Sequence, residues 1–174
     1  MLEAYRRQVA DYLESQRQTL DEAGQLLVAG EYFRTMDVYQ RDVAVYVYHL
    51  FATMAAMDGD ISPDEMLVML FGGVGGIASA QEYFEALQTI QDDLEAHSEY
   101  LDDIPEFIEH AAAYDAVHGT TLATTLSASL LGMAAAMMRA DLKEDASERL
   151  FLERLRGQLD GFLGGSGLPE SAEG

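Results

Sequence analysis

Two long uncharged apolar stretches of this sequence, each running up to an acidic turn, restrict its possible folds more than any other feature. They are Val43 to Met57 and Leu122 to Met138. Both are too long for ordinary strands, which run to about ten residues. The second, extended back to Gly119, is twenty residues long, the length of a membrane span. It contains Thr120, Thr121, Thr124, Thr125, Ser127 and Ser129, however, and is too polar for direct membrane insertion to be expected. The remaining solution is a pair of helices buried on most sides, which needs other helices to cover them. The expected fold class is therefore all-α, a compact multi-helix bundle.

Each run ends in an acidic turn. After Met57 come Asp58, Gly59, Asp60, Ile61, Ser62, Pro63, Asp64 and Glu65, and after Ala140 come Asp141, Leu142, Lys143, Glu144, Asp145, Ala146, Ser147 and Glu148. The same offset of 83 residues separates Asp58 from Asp141 and Glu65 from Glu148. It also aligns Met54 with Met137 and Leu67 with Leu150. The pattern is a degenerate two-fold repeat of helix, acidic turn, helix.

The rest of the chain supplies the covering helices. Leu2, Tyr5, Val9, Tyr12, Leu13, Gln16, Leu20, Ala23 and Leu27 recur at spacings of three and four, predicting an amphipathic helix over 2–28. Its near-heptad spacing suits pairing between subunits, so a homodimer is one expectation. Gly30 should break this helix, and a second is expected over 31–57 with Tyr32, Tyr39 and Tyr46 on one stripe. Further helices are expected over 63–71, 79–100, 106–117, 122–139 and 145–162. Gly72 to Gly76 reads as a hinge or close crossing, lacking both the Lys-Ser/Thr and the spacing of phosphate loops. The domain plan is a single all-helical domain over 1–163, with an N-terminal extension helix over 1–30 and a repeat-containing core over 43–158. Residues 164–174 form a flexible tail.

Composition sets limits on partners. Of 174 residues, 49% are apolar, and the formal net charge is −21. Such a surface repels nucleic-acid phosphates and anionic lipids and attracts cations and basic protein surfaces. The absence of cysteine excludes disulfides, thiolate metal sites and thiol nucleophiles. Met1 to Val9 has Arg6 and Arg7 but no apolar centre, so no signal peptide is expected.

The acidic turns suggest cation chemistry. Asp58, Asp60, Ser62 and Glu65 resemble the second half of an EF-hand loop, but Met54 and Ala56 stand where its first carboxylates belong. A site would therefore have to be shared with Asp141, Glu144, Asp145 and Glu148 of the second turn. Oxygen ligands alone favour Ca²⁺, Mg²⁺ or Mn²⁺ over zinc. Helix capping competes with this reading. Ser62-Pro63-Asp64-Glu65 and Asp145-Ala146-Ser147-Glu148 are both capping boxes. Capping leaves Asp58, Asp60 and Asp141 unexplained.

An alanine-rich apolar helix ending in a D-G-x-(I/L)-(S/D)-x-x-E turn, twice in a small acidic helical chain, resembles the TerB-like family of tellurite resistance. The first copy fits well; the second has Leu142 in place of the glycine. The likeness spans about Val43 to Gln158. It implies an all-α fold and divalent-cation binding by Asp58, Asp60, Glu65, Asp141 and Glu148. It also implies a non-enzymatic cytoplasmic role, as scaffold or sensor in stress or metal resistance, with protein partners at the membrane's inner face. The alternative from the residues alone is a metal-free acidic module that docks on a basic protein.

Other constellations carry less. Glu106, His110, Asp115 and His118 share one short helix, but a zinc or di-iron site wants repeated Glu-x-x-His, and only Asp115-x-x-His118 is present, once. His49 reads as a hydrogen-bonded core histidine and His97 as a solvated one. No serine sits in a nucleophile-elbow context, and the methionines read as core filler.

Overall fold

The computed structural model describes residues 2–57, 85, 101–139 and 146–166. Five helices are traced: α1 (Leu2–Ala29), α2 (Met36–Met57), α3 (Glu106–His118), α4 (Leu122–Met138) and α5 (Ala146–Ser166). They pack as an all-α bundle with α4 at the centre, in contact with each of the other four. The second uncharged run is therefore a core helix. Ala123, Leu126, Leu130, Met133, Ala134 and Met137 are all buried along it. Each large apolar side chain so buried contributes roughly 1.5–3 kcal/mol, well above an exposed ion pair such as Arg17–Glu14. No described helix is long and apolar enough to cross a membrane.

α1 presents Val9, Leu13, Leu20, Ala23 and Leu27 to this core, as its periodicity predicts. Its end differs in detail from expectation. Gly30 lies at the end of the helix, but the left-handed residue is Glu31, with φ 65. The Tyr32 amide donates to the Leu27 carbonyl and the Glu31 amide to that of Val28. This is a Schellman closure with a non-glycine residue in the left-handed position. The backbone then turns through 30–35 before α2 starts at Met36, five residues later than the pattern suggests. Thr35 is its N-cap: Thr35 Oγ1 accepts from the Val38 amide at 3.3 Å.

α2 buries Tyr39, Tyr46, Leu50, Phe51 and Met54. Two tyrosines of the predicted stripe are thus in the core, and Tyr32, partly buried, packs against it from the turn. α3 follows Pro105 and ends at Gly119, whose φ of 67 is the left-handed conformation that glycine accepts most readily. α5 buries Leu152, Leu155 and Leu159. It is tied to the turn before α3 by the Arg154–Asp102 ion pair and by Gln158 Nε2 donating to the Asp102 carbonyl. α5 runs to Ser166, so Gly164 and Gly165, expected to begin a flexible tail, are helical. The helices expected over 63–71 and 79–100, apart from helical Glu85, lie outside the described residues. The same holds for the glycine cluster, His97 and residues 167–174.

Candidate functional site

Helix directions determine where α2 and α4 end. α1 and α4 are antiparallel: Tyr5 Oη donates to the Arg139 carbonyl at 2.7 Å, and Tyr12 Oη faces Gly132 further along. α1 and α2 form a hairpin across the 30–35 turn, where Tyr39 Oη donates to the Leu20 carbonyl and Gln40 to Asp21. From Tyr39, α2 runs ~27 Å to Met57, back along α1 toward its first turns. The two uncharged helices thus run parallel, touch each other, and end at the same end of the bundle. The last described residues before the two acidic turns, Met57 and Arg139, lie there.

Of the predicted ligands, Asp58, Asp60, Glu65 and Asp141 lie outside the described residues, as do Glu144 and Asp145. Glu148 is described. It sits in the first turn of α5, where the capping pattern places it, and is only 3% exposed. It is engaged in an interaction of its own. Among the described residues, no three acidic or histidine side chains are grouped as a metal ion would require.

The histidine-bearing helix α3 serves a different purpose. Asp115 Oδ1 accepts from the Leu122 amide at 2.7 Å and the Thr120 hydroxyl at 2.5 Å, while Oδ2 accepts from the Ala123 amide at 2.8 Å. The N-cap residue of α4, Thr121, makes no side-chain cap bond. A carboxylate from the preceding helix supplies the missing acceptors and complements the positive end of the α4 dipole. His118 stacks on Tyr114, rings 3.9 Å apart, with Nδ1 at 3.0 Å from the Tyr114 carbonyl. His110 faces Glu106 at 3.7 Å and packs edge-on against Phe33. These side chains do not converge on a common point. His49 Nδ1 lies 2.7 Å from the Val45 carbonyl, hydrogen-bonded as expected, although the residue is half-buried.

A feature the sequence does not advertise lies beside α3. Tyr32, Phe33, Arg34, Val38, Arg41, Asp42, Val45 and Glu106 line an open cleft of about 460 Å³. Asp42 is half-buried, and its Oδ2 is buried with no hydrogen-bond partner. Burial and the neighbouring Glu106 push its carboxyl above the usual range, against the pull of the Phe107 amide and His110. The cleft needs the sharp 30–35 turn, which brings side chains from the turn, α2 and α3 together. Only the unusual run Glu31-Tyr32-Phe33-Arg34, aromatic and charged between two helices, hints at it in the sequence.

No family model, no curated protein and no solved structure matches the chain.

Proposed function

We propose that the chain is a non-enzymatic, TerB-like domain that binds a divalent cation, Ca²⁺, Mg²⁺ or Mn²⁺, between its two acidic turns. In this reading Asp58, Asp60 and Glu65 supply one half of the site and Asp141 and Glu148 the other. The protein then acts as a cytoplasmic scaffold or sensor in a stress or tellurite-resistance response, recruiting protein partners. One observation supports the reading: α2 and α4 are parallel neighbours ending at the same end of the bundle. Two turns that start side by side can pool carboxylates that neither could supply alone.

A second reading, a metal-free acidic interaction module, is favoured by Glu148. A carboxylate only 3% exposed and already engaged is a poor open ligand.

Thermal unfolding after chelation, with Ca²⁺, Mg²⁺, Mn²⁺ and Zn²⁺ restored one at a time, separates the two. A cation at a hundred times its dissociation constant stabilises by about 2.7 kcal/mol, several degrees in a chain of this size. The shared site requires that Asp58→Asn and Asp141→Asn each abolish the shift. If no ion moves the transition, the acidic turns are helix caps and the second reading stands.

A further inference from the structure

The cleft beside α3 has the volume of a small-molecule site, which spans roughly 300–1,000 Å³. Half of its lining residues are apolar or aromatic: Tyr32 and Phe33 from the turn, and Val38 and Val45 from α2, which remain 47% and 39% exposed. Two turns of helix separate the valines, with Arg41 and Asp42 between them on the same face.

The four charged side chains that line the cleft are not equivalent. Glu106 is held 3.7 Å from His110. Asp42 Oδ2 is buried, with no hydrogen-bond partner among the described residues, and burial raises its carboxyl above the ordinary range. Arg34 and Arg41 are exposed, and no described carboxylate pairs with either. In a chain with 31 acidic and 10 basic residues, two guanidinium groups with no carboxylate partner among the described residues line the same cleft.

We propose that this cleft binds a small organic monoanion, one carboxylate on an apolar body, with Arg34 and Arg41 holding the carboxylate. The body lies on Tyr32, Phe33, Val38 and Val45. Arginine suits this task because its planar fork matches a carboxylate with two parallel hydrogen bonds. The net charge of −21 decides between kinds of anion. A polyanion such as nucleic acid or an acidic peptide is repelled by the whole surface, whereas a single charge is opposed far less and gains from apolar contact. The site is separate from the acidic turns and does not depend on a cation there.

The test is calorimetric titration of the full chain with 4-phenylbutyrate, with 4-phenylbutan-1-ol as its uncharged counterpart. Saturable binding is expected with a dissociation constant of about 1 mM, ordinary for a ligand of this size. Arg34→Gln, Arg41→Gln and the alcohol should each weaken it about tenfold, the value of a charge-assisted contact. Arg41→Lys should retain part of the affinity, which ties a loss seen with glutamine to the charge and not to misfolding. Binding that survives both glutamine variants, an alcohol as good as the acid, or no saturable binding would each overturn the proposal.

Discussion

α1 crosses two helices by the same device, a glycine facing a tyrosine ring, and the two crossings have opposite mechanical character. At α2 the glycine belongs to α1. A methyl group on Gly24 would lie 2.2 and 2.3 Å from the Tyr39 ring edge. Tyr39 is fully buried, with its hydroxyl fixed 2.5 Å from the Leu20 carbonyl and its ring edge-on to Phe33 and Phe107. At α4 the glycine belongs to the other helix. A methyl on Gly132 would strike Tyr12 at the hydroxyl, the far end of a side chain that is 40% exposed. Beside that contact, Tyr5, Val9, Tyr12 and Ala136 border a cavity of about 250 Å³. One crossing is closed on every side, and the other has room to yield. What a glycine is worth depends on the freedom of what it faces.

Gly24→Ala should therefore have the largest effect. The Tyr39 ring has nowhere to go, and the loss should be about 3 kcal/mol, or some 10 °C in the melting temperature. A melting temperature near that of the parent would mean that the first crossing also yields, and the contrast would fail. The tyrosine hydroxyls offer a second comparison. Tyr39→Phe removes a buried hydrogen bond and should cost ~1 kcal/mol, whereas Tyr5→Phe removes an exposed one and should cost less than half of that in denaturant titrations. Equal losses would show that burial does not separate the two ends.

Gly132→Ala is the sharper test of yielding. Alanine gains about 1 kcal/mol of helix propensity, which offsets the displacement of Tyr12, so stability should change little. With Tyr12→Phe the nearest atom disappears and only the ring Cζ stays close, at 3.2 Å, at the end of a side chain with room to shift, so the double variant should be the more stable by a few tenths of a kcal/mol to ~1 kcal/mol. No such relief is open to Gly24, whose clash is with ring carbons.

The smallest effect concerns Asp42, at the closed end. Its folded carboxyl is raised above the ordinary 3.8, chiefly by burial. The stability it contributes is complete below that value and is lost as the pH rises through the raised one. Ionised Asp42 is thus unfavourable at neutral pH. Asp42→Asn should stabilise the fold at pH 7 by no more than ~1 kcal/mol, and the gain should vanish at about pH 3. A loss at pH 7 would show that the Phe107 amide and His110 outweigh burial.

The helical bundle was legible because its signals are periodic and local. The stripe from Val9 to Leu27 and the uncharged run from Leu122 to Met138 each act within one helix. The start of α2 was not legible, since Glu31 takes a conformation that sequence reading assigns to glycine and Thr35 follows it as an unremarked cap. Nor was the role of Asp115, because the amides it holds at Leu122 and Ala123 carry no residue identity. The cleft depends on three segments meeting, which no single stretch encodes. Of the candidate cation ligands, only Glu148 falls among the described residues. Its burial is invisible to a reading in which every carboxylate of an acidic turn looks equally free.

The Asp115 contacts also bear on the order in which the fold assembles. They join residues only seven and eight apart, so forming them closes a very short loop and gives up little chain entropy. The contacts of α1 with α4, by contrast, span more than a hundred residues. A corner that closes locally and orients the most buried helix is a natural place for folding to begin. The carboxylate that caps α4 thereby predicts a direction in time as well as in space: mutations at the α3–α4 corner should slow folding, and those where α1 meets α4 should mainly speed unfolding.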